Sequence, residues 1–94
     1  MRAIWNRTVL ADSAETREVD GYIYFPRAAV RMDLLHLAAK TTGDRQCPHG
    51  VQFYDVGDGA KTSPRNAWSY EKPGAKMQPI DRWIGFWDDV ELQH

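Results

Sequence analysis

The residues of this chain best suited to chemistry are a cysteine and a histidine two positions apart. Cys47 and His49 lie in the sequence Cys-Pro-His-Gly, and Cys47 is the one cysteine of the chain. In an extended segment residues i and i+2 point the same way, so the thiol and the imidazole can approach each other. A neighbouring imidazole favours the nucleophilic thiolate. Cys47 and His49 are therefore candidate catalytic residues; the alternative is that Cys47 is a small buried apolar residue and His49 is solvated.

Aromatic residues form the second candidate site. They make up 12% of the 94 residues, with four Trp and four Tyr. Aromatic rings with a few polar groups line many small-ligand pockets and attract cations. Arg45 or His49 would supply the polar recognition, and Arg65 is a second candidate for an anion contact. We expect one concave, partly solvated face beside the Cys47 turn, lined by Tyr22, Tyr24, Tyr54, Trp68 and Tyr70. The alternative is that these rings form a second small core.

The acidic residues do not form a recognisable metal motif. Metal-dependent nucleotidyl transfer requires converging carboxylates together with a phosphate cradle, and no P-loop or glycine-serine motif accompanies the acids of this chain. Several of the acids also stand where turns favour aspartate. We therefore expect no metal site and no cofactor. The carboxylates considered are Asp55, Asp58, Asp88, Asp89 and Glu91.

Composition restricts the class of protein. Apolar residues are 43%, charged residues are 27% and the formal net charge is −1, values typical of a globular domain. No basic run is present to neutralise phosphates, so we expect no nucleic-acid partner. No signal-peptide segment follows Met1, and no stretch reaches the roughly 18 apolar residues of a membrane span. A single cysteine fits a reducing compartment. We expect one cytoplasmic domain over residues 1–94, whose oligomeric state the sequence leaves open.

Two short loops separate strand-like segments near the start of the chain. Asn6-Arg7 lies between two apolar segments at hairpin spacing, and Asn suits the first position of a type I′ turn. Asp20-Gly21 lies between residues 17–19 and 22–25 and is the strongest hairpin signal in the chain. The sequence predicts two β-hairpins here.

The rest of the chain is also mainly strand-like, with one exception. Val30, Leu34 and Leu37 recur at helical spacing, which predicts one short α-helix at about residues 28–39. A further helical turn is expected within residues 75–82. Short strands separated by frequent turns favour a mainly β fold, a small twisted antiparallel sheet or barrel-like sheet carrying the helix. The later strands are predicted at residues 51–56, 67–70, 83–87 and 90–92.

The order and spacing of several motifs resemble one known family over nearly the whole chain. The motifs are Ile4-Trp5-Asn6 with residues 9–13, Tyr24-Phe25-Pro26, Thr42 with Cys47-Pro48, residues 53–56, Ala67-Trp68-Ser69-Tyr70 and residues 84–87. They resemble the bacterial and fungal family called domain of unknown function 427, some members of which carry a nucleotidyltransferase label. The resemblance implies a compact β fold of the Mss4-like or β-tent type without the paired Cys-x-x-Cys motifs of zinc-bearing relatives. Family members commonly carry a lysine before the glycine of the Cys-Pro turn, and this chain lacks it. If that lysine has a function in the family, this chain either lacks the function or uses Arg45 or His49 for it.

Two functions follow as alternatives. The first is a small-molecule-binding domain, with or without enzymatic activity, whose site lies beside the Cys47 turn. The second is an interaction module whose aromatic face docks a partner. A closed concave pocket would favour the first, and a flat aromatic face the second. A metal-dependent transferase is the third and least supported hypothesis.

Overall fold

A computed structural model describes all 94 residues and shows nine strands in two antiparallel sheets. The smaller sheet has the order β2-β1-β9, and the larger sheet has the order β3-β4-β8-β7-β6-β5. The mainly β class predicted from the sequence is confirmed. The strands are β1 (Arg2–Trp5), β2 (Thr8–Asp12), β3 (Arg17–Val19), β4 (Tyr22–Phe25), β5 (Leu35–Leu37), β6 (Val51–Gly57), β7 (Thr62–Tyr70), β8 (Ile84–Phe86) and β9 (Glu91–Gln93).

Both predicted hairpins form. Asn6 and Arg7 have φ angles of 48° and 65°, so the β1–β2 turn has the positive backbone angles of a type I′ turn even though Arg7 is not glycine. Asp20 and Gly21 have φ angles of 55° and 86° between β3 and β4. The short turn sequences therefore set the register of these two strand pairs.

The α-helix predicted for residues 28–39 is wrong. This segment forms two short 3-10 turns, Arg27–Ala29 and Met32–Leu34, and then strand β5. Tertiary pairing overrides the local helical spacing: the Arg31 N–H donates to the Leu10 carbonyl at 2.7 Å, and β5 pairs with β6. Leu37, expected on the buried helix stripe, is 73% exposed.

The helical segments that do form are short. The α-helix α1 covers Thr42–Arg45, and a 3-10 helix covers Ala75–Ile80, inside the region where a helical turn was predicted. No helix of the structure combines the length and apolar character needed to cross a membrane.

Side chains of the larger sheet pack on both of its faces. Alternate residues of each strand point to opposite faces, so one face joins the smaller sheet in a cluster of 12 buried residues, here called the inner core. The other face carries five buried residues, here called the outer cluster: Tyr24, Val51, Trp68, Met77 and Ile80. The turn between β8 and β9 connects the two sheets, because β8 lies between β4 and β7 while β9 pairs with β1.

Candidate functional site

Four aromatic rings on the outer side of the larger sheet form one continuous surface, here called the aromatic surface: Tyr22, Phe53, Trp68 and Trp87. Trp68 is its base and is only 4% exposed, with ring centroids of Tyr22 at 5.2 Å and Trp87 at 5.1 Å. Phe53 stacks on Trp87 at 5.9 Å. Tyr22 remains 42% exposed and Trp87 36% exposed. Edge-to-face and stacked contacts at these distances hold the rings in place while leaving aromatic area open to solvent.

Strand register brings these rings together, and one glycine makes room for them. Phe53 of β6 lies opposite Trp68 of β7, and Trp68 lies opposite Gly85 of β8. A Cβ atom at Gly85 would lie 2.7 Å from Trp68 Cζ2 and 3.0 Å from Tyr24 Cε2. The absence of a side chain at Gly85 therefore lets the Trp68 indole lie flat across the neighbouring strand.

Arg65 supports the aromatic surface from the side. It lies in a bulge of β7, where the register with β6 shifts, and has a φ angle of 57°. Its guanidinium lies over the Phe53 ring, 4.0 Å from the centroid, and its carbonyl accepts a hydrogen bond from Trp87 Nε1 at 2.6 Å. One residue thus fixes two of the four rings, by a cation–π contact and by a backbone hydrogen bond.

Asp44 holds the Arg65 side chain in this position. The guanidinium donates to both carboxylate oxygens, at 2.9 and 3.0 Å, and these hydrogen bonds are the main cause that lowers the pKa of Asp44 from 3.8 to about 2. Asp44 also closes a capping box with Thr41 at the start of α1. The short helix before the Cys47 turn is therefore tied to the aromatic surface through one bidentate ion pair.

The Cys47 turn packs beside the outer cluster, but its thiol and imidazole form no hydrogen bond. Cys47 is half-buried against the outer cluster. His49 Nδ1 accepts a hydrogen bond from the Gly74 N–H at 2.9 Å, and the ring lies edge-on to Tyr70 at 5.5 Å. With Nδ1 accepting, the neutral ring carries its proton on Nε2, which makes that nitrogen a donor. In this arrangement His49 holds the loop and is not poised to deprotonate Cys47.

The predicted aromatic wall is divided between the two faces of the sheet. Trp68 and Tyr70 lie on the outer side with Tyr24, whose hydroxyl accepts from Trp68 Nε1 at 3.3 Å. Tyr24 is 1% exposed instead of partly solvated, and burial raises the pKa of its phenol above the ordinary value. Tyr54 belongs to the inner core, so its placement on the same wall is wrong. The reason is the period of two along β6, which turns Tyr54 away from Phe53.

Neither surface cavity of the chain borders the Cys47 turn. A cleft of about 520 Å³ lies among the turns that follow β1, β6 and β8, and a smaller one of about 220 Å³ lies along β2. Arg45 ends α1, is exposed, and makes no side-chain hydrogen bond or ion pair. Cys47, Tyr24, Trp68 and Tyr70 therefore share the outer cluster, Tyr54 lies on the other face, and no pocket is enclosed beside the turn.

A buried polar network at the edge of the inner core was missed from the sequence. Tyr54 Oη lies 3.2 Å from Ser69 Oγ, which donates to the Glu71 carboxylate at 2.5 Å. Arg27 donates to Tyr54 Oη at 2.8 Å and to the Arg82 carbonyl at 2.7 Å. The sequence feature that could have revealed this network is Ser69, a polar residue between Trp68 and Tyr70 at an inward-facing position of β7. The network satisfies every polar group it buries and joins four separate segments of the chain.

The sequence also gave no role to Trp87, Phe53 or Asp44, which complete the aromatic surface and its support. Trp87 follows β8 directly, and its position could be found only from the pairing of β8 with β7. No group of three or more His, Cys, Asp or Glu side chains is placed to hold a metal ion.

Comparison with known proteins identifies the family of the chain. The family described as Domain of unknown function (DUF427) matches residues 1–93, which confirms the resemblance found in the sequence motifs. No curated protein matches the sequence.

Proposed function

We propose that this chain, which belongs to the domain of unknown function 427 family, is a binding module that docks a positively charged segment of a partner protein on its aromatic surface. The observation that carries the proposal is the exposure of Tyr22 and Trp87, at 42% and 36%, although both rings pack against the buried Trp68. Rigid aromatic rings that remain open to solvent are typical centres of binding energy at protein interfaces.

The charge of the partner segment is inferred from the groups around the rings. Ring faces attract guanidinium and ammonium groups. Phe53 already holds the guanidinium of Arg65, whose charge Asp44 balances. Asp88 follows Trp87 in the chain, is exposed and takes part in none of the ion pairs of the protein. A second arginine or lysine, supplied by a partner, would find an exposed aromatic ring at Trp87 and an exposed acidic residue next to it in the chain, Asp88.

The openness of the site favours a chain segment over an enclosed small molecule. The four rings contact one another directly, with no cavity between them, and both cavities lie elsewhere. A small ligand gains most of its affinity by being surrounded, whereas a peptide segment can bury the exposed rings along an open face.

A titration with peptides tests the proposal. An alternating arginine-glycine octapeptide is added to the full chain and followed by two-dimensional amide NMR, with the glutamate-glycine octapeptide as control. We expect saturable shifts at Tyr22, Phe53 and Trp87 with the basic peptide alone. Trp87→Ala should weaken binding at least about tenfold. The matched variant Leu37→Ala removes another exposed apolar side chain, 73% exposed on β5, and should leave the affinity unchanged.

Three results would overturn the proposal. The first is equal binding of the acidic and basic peptides, which would exclude charge complementarity. The second is a shift pattern that avoids the aromatic surface. The third is binding of free arginine amide as tightly as the octapeptide, because the site would then recognise a small molecule.

A further inference from the structure

We infer that the chain has a second binding site, separate from the proposed docking function, in the 520 Å³ cleft, and that its ligand is a small zwitterion of the α-amino acid type. The cleft, here called the polar cleft, lies where the turns after β1, β6 and β8 converge. Its volume falls in the range of small-molecule sites. It is lined by Trp5, Asn6, Lys61, Thr62, Ser63 and Asp89.

The charges in the polar cleft define the class of ligand. Lys61 and Asp89 are the two charged residues of its lining, one of each sign, and neither takes part in any of the six ion pairs of the chain. A ligand with a negative charge alone would be repelled by Asp89, and one with a positive charge alone by Lys61. A ligand carrying both charges can pair its carboxylate with Lys61 and its ammonium with Asp89 through charge-assisted hydrogen bonds.

The floor of the polar cleft is fixed by a buried hydrogen bond. Trp5 is 3% exposed, and its indole Nε1 donates to Ser63 Oγ at 2.9 Å. Because Ser63 Oγ accepts this bond, its own hydrogen stays available as a donor toward the cleft. Asn6, held in the type I′ turn with a φ of 48°, adds an amide at the rim. The Ser63 hydroxyl and the Asn6 amide can both donate hydrogen bonds to the oxygen atoms of a ligand carboxylate.

The turn that carries Lys61 is also held in place. Asp58 accepts hydrogen bonds from the N–H groups of Ala60 and Lys61 at 3.0 and 3.1 Å. Gly57 packs so closely beneath the turn that a Cβ there would lie 2.8 Å from both the Lys61 carbonyl and Thr62 Oγ1. The backbone under the ammonium is therefore ordered before any ligand binds, which reduces the entropy lost on binding.

Asp89 is positioned by a buried amide. Asn66 is 2% exposed; in the amide orientation that satisfies both side-chain atoms, its oxygen accepts from the Asp89 N–H at 3.3 Å and its nitrogen donates to the Pro64 carbonyl at 2.9 Å. The Asn66 carbonyl also accepts from the Trp87 N–H at 3.1 Å. This residue thus ties the β8–β9 turn to β7 and holds the Asp89 backbone at the edge of the cleft. The Lys61 turn is held by exposed hydrogen bonds to Asp58, and the Asp89 turn by contacts with the buried Asn66.

The test uses the complete chain and simple probes. Each of the twenty L-amino acids is titrated at millimolar concentration and followed by two-dimensional amide NMR. Butyrate and butylamine serve as probes that carry one charge only. We expect at least one amino acid to shift the Trp5 indole N–H and the amides of Asn6, Lys61 and Asp89 in a saturable manner, and both single-charge probes to bind at least about tenfold more weakly.

Charge-neutral variants give the second half of the test. Lys61→Gln and Asp89→Asn should each weaken binding about tenfold or more, with otherwise unchanged spectra. Lys72→Gln and Asp81→Asn are matched controls, because both residues are exposed and neither lines the cleft, and they should change nothing. The inference is overturned if no amino acid shifts the cleft resonances, if butyrate or butylamine binds as well as the zwitterion, or if the control variants weaken binding equally. Trp87→Ala, the variant that tests peptide docking, should not alter amino acid binding, so the two proposals can fail independently.

Discussion

The two faces of the larger sheet use aromatic residues in different ways. On the inner side Phe25 and Phe86 pack edge to face at 5.7 Å, with 0% and 3% exposure and no polar atoms. On the outer side the rings belong mainly to Trp and Tyr, and their polar atoms are bonded within the chain: Trp68 to Tyr24, and Trp87 to the Arg65 carbonyl. These two buried phenylalanine rings can contribute only to stability. Outer rings are ordered equally well but keep area that another molecule can cover.

The largest effect should come from deleting an inner ring. Phe25→Ala is expected to lower the free energy of unfolding by about 3–5 kcal/mol, because a fully buried ring is replaced by a cavity. Urea denaturation followed by circular dichroism measures this loss. The matched variant Leu37→Ala, on exposed β5, should cost less than about 0.5 kcal/mol. Similar losses for the two variants would show that the inner core is not the main source of stability.

A methyl group beneath the aromatic surface should have the next largest effect. Gly85→Ala is expected to lower the free energy of unfolding by about 1–3 kcal/mol, since its Cβ would clash with the Trp68 ring. The near-ultraviolet circular dichroism of the tryptophans should change with it. Gly43→Ala in α1 is the control: its Cβ would meet only Thr41 Oγ1, at 3.8 Å, and alanine is the better helix residue. If Gly85→Ala retains full stability, the close packing of Trp68 over β8 is contradicted.

The ion pair behind the aromatic surface should make the free energy of unfolding depend on pH in the acid range. Asp44 has a pKa of about 2 in the folded protein against an ordinary 3.8, so the unfolded chain binds this proton more readily. Its contribution is complete above about pH 4 and is lost as the pH falls through about 2. Because Arg65 is partly exposed, solvent screens the ion pair, and we expect it to add about 1–2 kcal/mol to the free energy of unfolding. Urea titrations between pH 2 and 6 measure the contribution.

Asp44→Asn should remove most of this pH dependence of the free energy of unfolding. Asp33→Asn is the matched control, because Asp33 also pairs with an arginine, Arg31, but its side chain is 64% exposed. The control should leave the pH dependence almost unchanged. If the pH dependence survives in Asp44→Asn, or disappears in Asp33→Asn, it arises from carboxylates other than Asp44.

The smallest effect concerns the chemistry of Cys47. Because the thiol is half-buried and His49 bonds to Gly74, alkylation by iodoacetamide should be slower in the folded protein than in denaturant. His49→Ala should accelerate alkylation by loosening the turn. An activated Cys-His pair would give the opposite result, with slower alkylation once the imidazole is removed. The direction of the change therefore decides whether the turn is structural or catalytic.

Local patterns in the sequence predicted the local structure well. Turn residues located both hairpins, and strands form at each of the positions predicted later in the chain, residues 51–56, 67–70, 83–87 and 90–92, although their bounds differ by a few residues. The helix at residues 28–39 failed because the partners of that segment, β2 and β6, are distant in sequence. Spacing alone cannot show that a strand edge is available to pair.

The candidate site was predicted only in part for the same reason. Trp68, Tyr70 and Tyr24 share one side of the sheet as expected, since each lies in a strand whose alternation is visible in the sequence. Trp87 lies beyond the end of β8, and Arg65 sits in a bulge. Arg65 depends on a register shift between β6 and β7, and Trp87 depends on the pairing of β8 with β7; no local pattern encodes either.

The most direct test measures the free energy of unfolding and the affinity for the arginine-glycine octapeptide on one variant, Trp87→Ala. Since the ring is 36% exposed but packs on three other rings, we predict a stability loss of about 1–3 kcal/mol, smaller than that of Phe25→Ala, together with an affinity loss of at least about tenfold. Such a result would assign the outer rings to recognition. A stability loss as large as that of Phe25→Ala, with peptide affinity unchanged, would contradict the account and make the aromatic surface a second core.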